Sequence, residues 1–109
     1  FKLAHRMTQQ EFLTVLNCCC GYSGCQCPYD FVHLPWPKLA VVNFTSFAAC
    51  SACFQTFCGL AGSRRRGIVG VREAIHHGLA ANLAHFCAKC SQLSSYEQLP
   101  SVFSNGNPV

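Results

Sequence analysis

The sequence predicts one α+β domain built around an antiparallel sheet, and three features point there. The segment TQQEFLTVLN from Thr8 carries a helix-start signal and then apolar residues at helical spacing. The stretch YDFVHLPWPKLAVVNF, Tyr29 to Phe44, alternates with period two in each half and is interrupted by Pro-Trp-Pro-Lys. A second helix-periodic segment, a short apolar run and a third helix follow in that order. At 109 residues, 50% apolar and 11% charged, the chain is long enough for one modest core and too apolar for disorder.

Thr8 suits an N-cap, and Glu11 three residues later completes a capping box. Met7 and Phe12 flank the cap as a hydrophobic staple. Phe12, Leu13, Val15 and Leu16 form the core stripe to about Asn17, and Gly21 to Gly24 reads as a loop rich in cysteine and glycine. In the next strand Tyr29, Phe31 and His33 fall on one side. In its neighbour Ala40, Val42 and Phe44 share one face, and Leu39, Val41 and Asn43 share the other. Pro35 and Pro37 lack the amide that a ladder needs, so they belong to the connection. A second helix is predicted from about Ser46 to Cys58, with Cys50, Cys53, Phe54 and Phe57 inward and Ser51, Gln55 and Thr56 outward. Gly59 suits its C-cap. A short strand covers Ile68 to Val71. A third helix from about Gly78 to Ala88 places Leu79, Leu83 and Phe86 on one side. Residues 91–109 are polar, carry Pro100, Asn105-Gly106 and Pro108, and read as a loosely ordered tail behind a domain spanning 1–90.

With Phe1 to Ala4 taken as the remnant of a largely missing first strand, the order becomes β-α-β-β-α-β plus an extra C-terminal helix. That is the ferredoxin-like arrangement, with two helices on one face of an antiparallel sheet and the other face open. Both strands of the Tyr29–Phe44 segment are apolar on nearly every face, so the open side is expected to meet a partner rather than bulk water.

The charge of +4 is uneven, because Arg64, Arg65 and Arg66 form a compact run. Guanidinium forks match phosphate oxygens, although the same run also suits a solvated loop. Ten cysteines occur at mixed spacings, including Cys50-x-x-Cys53 and Cys87-x-x-Cys90. Such pairs can bite one metal, but the gap between them exceeds the usual zinc-finger spacing and both lie on predicted helices. Packing as small hydrophobes, zinc binding and disulfides all stay open, and no metal or cofactor is assigned. His76, His77 and His85 lie near Glu73, Cys87 and Cys90 without forming a nucleophile–base–orienter set, so no enzyme is expected. No run approaches the roughly 18 apolar residues of a membrane span, so no membrane partner is expected. The chain begins with Phe1, without a basic segment followed by an apolar one, and reads as a fragment or processed piece.

Four segments together resemble a known family. RMTQQEFLTVLN (Arg6 to Asn17), YDFVHLP (Tyr29 to Pro35), VVNFTS (Val41 to Ser46) and GLAANLAHF (Gly78 to Phe86) are similar, in that order, to the C-terminal RNA recognition motif of the Mei-two-like proteins, the meiosis-regulator type. The resemblance covers nearly the whole chain and includes a helix after the last strand. It implies binding of single-stranded RNA on the open sheet face, where aromatics on central strands stack on bases and basic loops hold the backbone. Against the third-strand consensus, Phe44 takes the final aromatic position and Ala40 and Val42 the core positions. Leu39 and Val41 take the two stacking positions, so the platform is aliphatic where rings are expected. The connection Pro35 to Lys38 is shorter than the family's. The candidate RNA-binding face is therefore Leu39, Val41 and Asn43, with Phe31, His33 and Trp36 adding contacts. Lys38, Arg64, Arg65, Arg66 and Arg72 are the candidate phosphate contacts. The missing rings imply weak binding with little sequence discrimination. The alternative is the same fold used as a protein-interaction module, its aliphatic face taking a protein partner.

Overall fold

A computed structural model of the chain describes residues 1–22, 27–36, 38–59, 67–74, 77–89, 99–104 and 107–108. Its elements are β1 (Lys2–Leu3), α1 (Gln9–Cys20), β2 (Tyr29–Trp36), β3 (Leu39–Phe44), α2 (Phe47–Gly59), β4 (Ile68–Gly70), α3 (Leu79–Lys89), β5 (Ser101–Ser104) and β6 (Asn107–Pro108). The strands pair antiparallel in the order β4-β1-β3-β2-β5-β6, so the fold is α+β.

Helix α1 starts where the capping signal places it. Glu11 N–H donates to Thr8 Oγ1 at 3.1 Å, and Thr8 N–H donates to Glu11 Oε1 at 3.4 Å. The helix ends at Gly21, whose φ of +71° supplies the left-handed C-cap. Its last turn holds Cys18, Cys19 and Cys20, so the helix runs three residues past its predicted end. Strand β1 is only two residues long, yet it sits between β3 and β4. Leu3 N–H donates to Lys38 O, and Ala4 N–H donates to Gly67 O, each at 2.8 Å.

The core lies between the sheet and the pair α1 and α2. Leu3, Met7, Phe12, Leu16, Tyr29, Val32, Leu34, Ala40, Cys53, Phe57 and Ile68 form one cluster, with Val42 and Phe44 packed against it. Fully burying side chains such as Phe12 and Leu16 contributes about 1.5–3 kcal/mol each. The Phe1 ring meets Phe12 and Phe57 edge-on at 5.2 and 5.4 Å.

Four expectations change in the folded chain. Strand β2 carries a bulge between Tyr29 and Phe31, where two residues oppose one step of β3. The bulge sends Tyr29 to the core and Phe31 and His33 to the opposite face, so these three do not share a side. A second irregularity between His33 and Trp36 accommodates Pro35 inside β2 rather than in the connection. Among the described side chains of α2, Cys53 and Phe57 are buried and Ala49, Ser51 and Thr56 half-buried, while Cys50 and Phe54 face solvent. Thr56 tolerates this position because its hydroxyl donates to Ala52 O at 2.9 Å. Finally, part of the expected tail is a strand. In β5, Val102 pairs with Phe31, Phe103 meets the Tyr29 ring edge-on at 5.3 Å, and the Gln9 side chain bonds both Leu99 O and Ser101 Oγ.

Helix α3 packs on β2 from the side opposite α1 and α2, with Phe86 edge-on to His33 at 5.2 Å. The outer sheet face is therefore covered in part rather than left open. Among the described residues no helix is long and apolar enough to cross a membrane.

Candidate functional site

Strand pairing arranges the outer face in three rows. Phe31 lies opposite Asn43, His33 opposite Val41, and Trp36 opposite Leu39. The last row continues across β1, because Leu39 also pairs with Lys2, and Lys2 with Gly70 of β4. Side chains directly opposite one another project to the same face. Leu39, Val41, Asn43, Phe31, His33 and Trp36 are thus brought together as predicted, but they are not equally accessible.

Helix α3 closes one end of this face. Phe31 is 2% exposed and His33 8%, the two rings meeting each other at 6.2 Å and His33 meeting Phe86. Both are packed side chains in this arrangement, and a nucleobase reaches His33 only if Phe86 of α3 moves away. Asn43 is committed to structure too. Its Nδ2 donates to Asp30 Oδ1 at 2.7 Å, and its Oδ1 accepts from Gly78 N–H at 2.9 Å. Gly78, with φ at +90°, also offers its carbonyl to Asn82 Nδ2 at 2.8 Å. Asn43 thereby pins the start of α3 to β3, while Asn82 braces that first turn from within the helix.

The other end of the face is accessible. Trp36 is 65% exposed, Leu39 is 37% exposed, Lys2 and Lys38 face solvent, and Val41 is half-buried. An indole, an aliphatic side chain and an ammonium group stand side by side in one cross-strand row, with a second ammonium on the hairpin. Arg72, just past β4, is exposed. The Phe1 ammonium is held below its ordinary pKa mainly by burial, with the Arg72 charge acting in the same direction. Arg64, Arg65 and Arg66 lie outside the described residues. Lys2 is the member the sequence reading missed. The signal was the alternation Phe1 in, Lys2 out, Leu3 in, legible only once those residues are placed in the sheet.

Cys50 is exposed and Cys53 buried, so this C-x-x-C pair does not present two thiolates on one side, and Cys90 lies outside the described residues. Among the described residues no three His, Cys, Asp or Glu side chains gather as a metal site. His77 Nε2 lies 3.4 Å from Glu73 Oε1 at the surface, a pair worth little to stability. Comparison with protein-family models, with curated proteins and with solved structures finds no match to this chain.

Proposed function

We propose that this chain is an RNA-binding module of the RNA-recognition type, taking single-stranded RNA across the uncovered end of its sheet. One observation carries the reading: Trp36, Leu39 and Lys2 form a single exposed cross-strand row, with Lys38 beside it. The strand order β4-β1-β3-β2 is compatible with the ferredoxin-like arrangement and supports it. In this role Trp36 stacks on a base, a contact worth about 1–3 kcal/mol. Leu39 and Val41 add apolar contact without ring stacking, and Lys2, Lys38 and Arg72 meet phosphates. With one ring in place of several, binding is weak and tolerant of sequence.

Fluorescence anisotropy with labelled single-stranded RNA tests the reading. Three phosphate contacts predict a loss of about 20-fold in affinity between 50 and 200 mM salt. Trp36→Ala weakens binding by about 5- to 150-fold, the equivalent of one stacked base. No binding at the lower salt concentration sinks the proposal.

The covering of Phe31 and His33, together with aliphatic Leu39 and Val41, favours a second reading in which the same patch docks a protein. Leu39→Tyr combined with Val41→Phe separates the two. The added rings strengthen RNA binding under the first reading and leave it absent under the second.

A further inference from the structure

We propose that Cys20 and Cys53 form a redox modification site, in which Cys20 reacts with a hydroperoxide and Cys53 then seals it as a disulfide joining α1 to α2. The two cysteines lie 33 residues apart in sequence, on α1 and α2, and their sulfurs stand 3.7 Å from each other. A disulfide holds its sulfurs at about 2 Å, so oxidation would draw this pair closer still. The two thiols also differ in access. Cys53 is 2% exposed within the core, whereas Cys20 is half-buried in the last turn of α1, so an oxidant meets Cys20 first.

The surroundings divide the labour in the same way. The C-terminal end of a helix disfavours an anion, so α1 alone would not activate a thiol there. Donors reverse this. The Cys53 thiol, and after it the Tyr22 hydroxyl, stabilise the Cys20 thiolate against the cost of burial and bring its pKa to about 7. Either thiol can donate to the other, but the more deeply buried Cys53 is the one that keeps its proton. Its pKa is raised, first by the bond to Cys20 and then by burial.

The Cys20 thiolate attacks the hydroperoxide, an S–O bond forming as the O–O bond breaks. The departing alkoxide, or hydroxide from hydrogen peroxide, takes a proton from solvent. Sulfur has lost two electrons and the peroxide has gained them. Cys20 is now an uncharged sulfenic acid, so the anion that held the Cys53 proton is gone. Cys53 loses that proton and attacks the Cys20 sulfur. The S–S bond forms, the S–O bond breaks, and hydroxide leaves with the proton as water. Two thiols and one hydroperoxide yield one disulfide, one water and one alcohol, or a second water.

The test is peptide mapping of the full reduced chain after one equivalent of hydrogen peroxide, with alkylation before tryptic digestion. The first cross-link is expected between the fragments 7–38 and 39–64, located by fragmentation to Cys20 and Cys53. In Cys53→Ala, dimedone captures Cys20 as a sulfenic acid adduct, whereas Cys20→Ser forms no such cross-link. A first cross-link through any other pair, no cross-link at all, or dimedone adducts at the exposed Cys18, Cys50 or Cys87 ahead of Cys20 would overturn the proposal. Mapping of the unsubstituted chain decides the matter even if Cys53→Ala fails to fold.

Discussion

Replacing Gly67 with alanine puts a methyl group where two side chains leave no room. Gly67 precedes β4, and its φ of +85° costs an L-residue about 1–2 kcal/mol. The new Cβ would run into Met7 Cε and stand 2.9 Å from His5 Nε2. His5 is exposed and can swing aside. Met7 is buried and must leave its rotamer, at about 0.5–1.5 kcal/mol. Restricting the unfolded chain returns about 0.4–1 kcal/mol. The net loss is about 2 kcal/mol, roughly a 10 °C drop in Tm for a domain of this size. Urea unfolding followed by far-UV circular dichroism would measure it, with an unchanged m-value showing that only stability moved. In a Met7→Ala background the steric part disappears, and Gly67→Ala should cost about 1 kcal/mol less. A neutral Gly67→Ala, or the same cost in both backgrounds, refutes the reasoning.

Thr8→Ala removes one bond of the capping box and leaves Glu11 N–H without its acceptor, so urea unfolding should show a loss of about 1 kcal/mol, largely restored by Thr8→Ser. The reduced chain should also depend on pH through its thiol pair. Cys20 is more acidic in the fold, about 7 against an ordinary 9.0, so the folded state binds fewer protons between those values. Stability therefore rises from pH 7 towards 9, and this contribution is lost as pH falls through 7. Cys53 acts oppositely, since the fold holds its proton and stability declines once pH passes its ordinary 9.0. Urea midpoints measured under reducing conditions should peak near pH 9, and Cys20→Ser should flatten the rise; a midpoint that falls steadily from pH 7 would contradict both directions.

Features decided by neighbouring residues were legible in the sequence, and features decided by distant pairing were not. Thr8 and Glu11 announce the start of α1 because both partners of the box lie within four residues. The division of β3 into Ala40, Val42 and Phe44 against Leu39, Val41 and Asn43 is readable because that strand has no bulge. Strand β2 defeats the same alternation, since the extra residue at Asp30 exists only relative to β3. The buried side of α2 was read only half correctly, Cys53 and Phe57 but not Cys50 and Phe54 facing the core, because cysteine, phenylalanine and alanine occur all around that helix and leave little contrast between its faces. Nothing local indicates that α3 folds back onto His33, since that placement rests on the long-range bond from Gly78 N–H to Asn43 Oδ1 and on Phe86 meeting His33. As a result the candidate site shifted from the middle of the sheet towards the hairpin, with Lys2 joining it.

Strand β2 is eight residues long and largely apolar, the kind of strand that recruits a second chain when it lies at the border of a sheet. Here its outer ladder is occupied by Ser101 and Val102. The border passes to the two-residue β6, where Pro108 has no amide to offer an incoming strand. The last ten or so residues thereby act as a guard against intermolecular strand addition. Proteolytic trimming of that end would strip Phe103 from the Tyr29 ring and bare the long edge of β2 to pairing with a second chain, while leaving the Trp36 row in place.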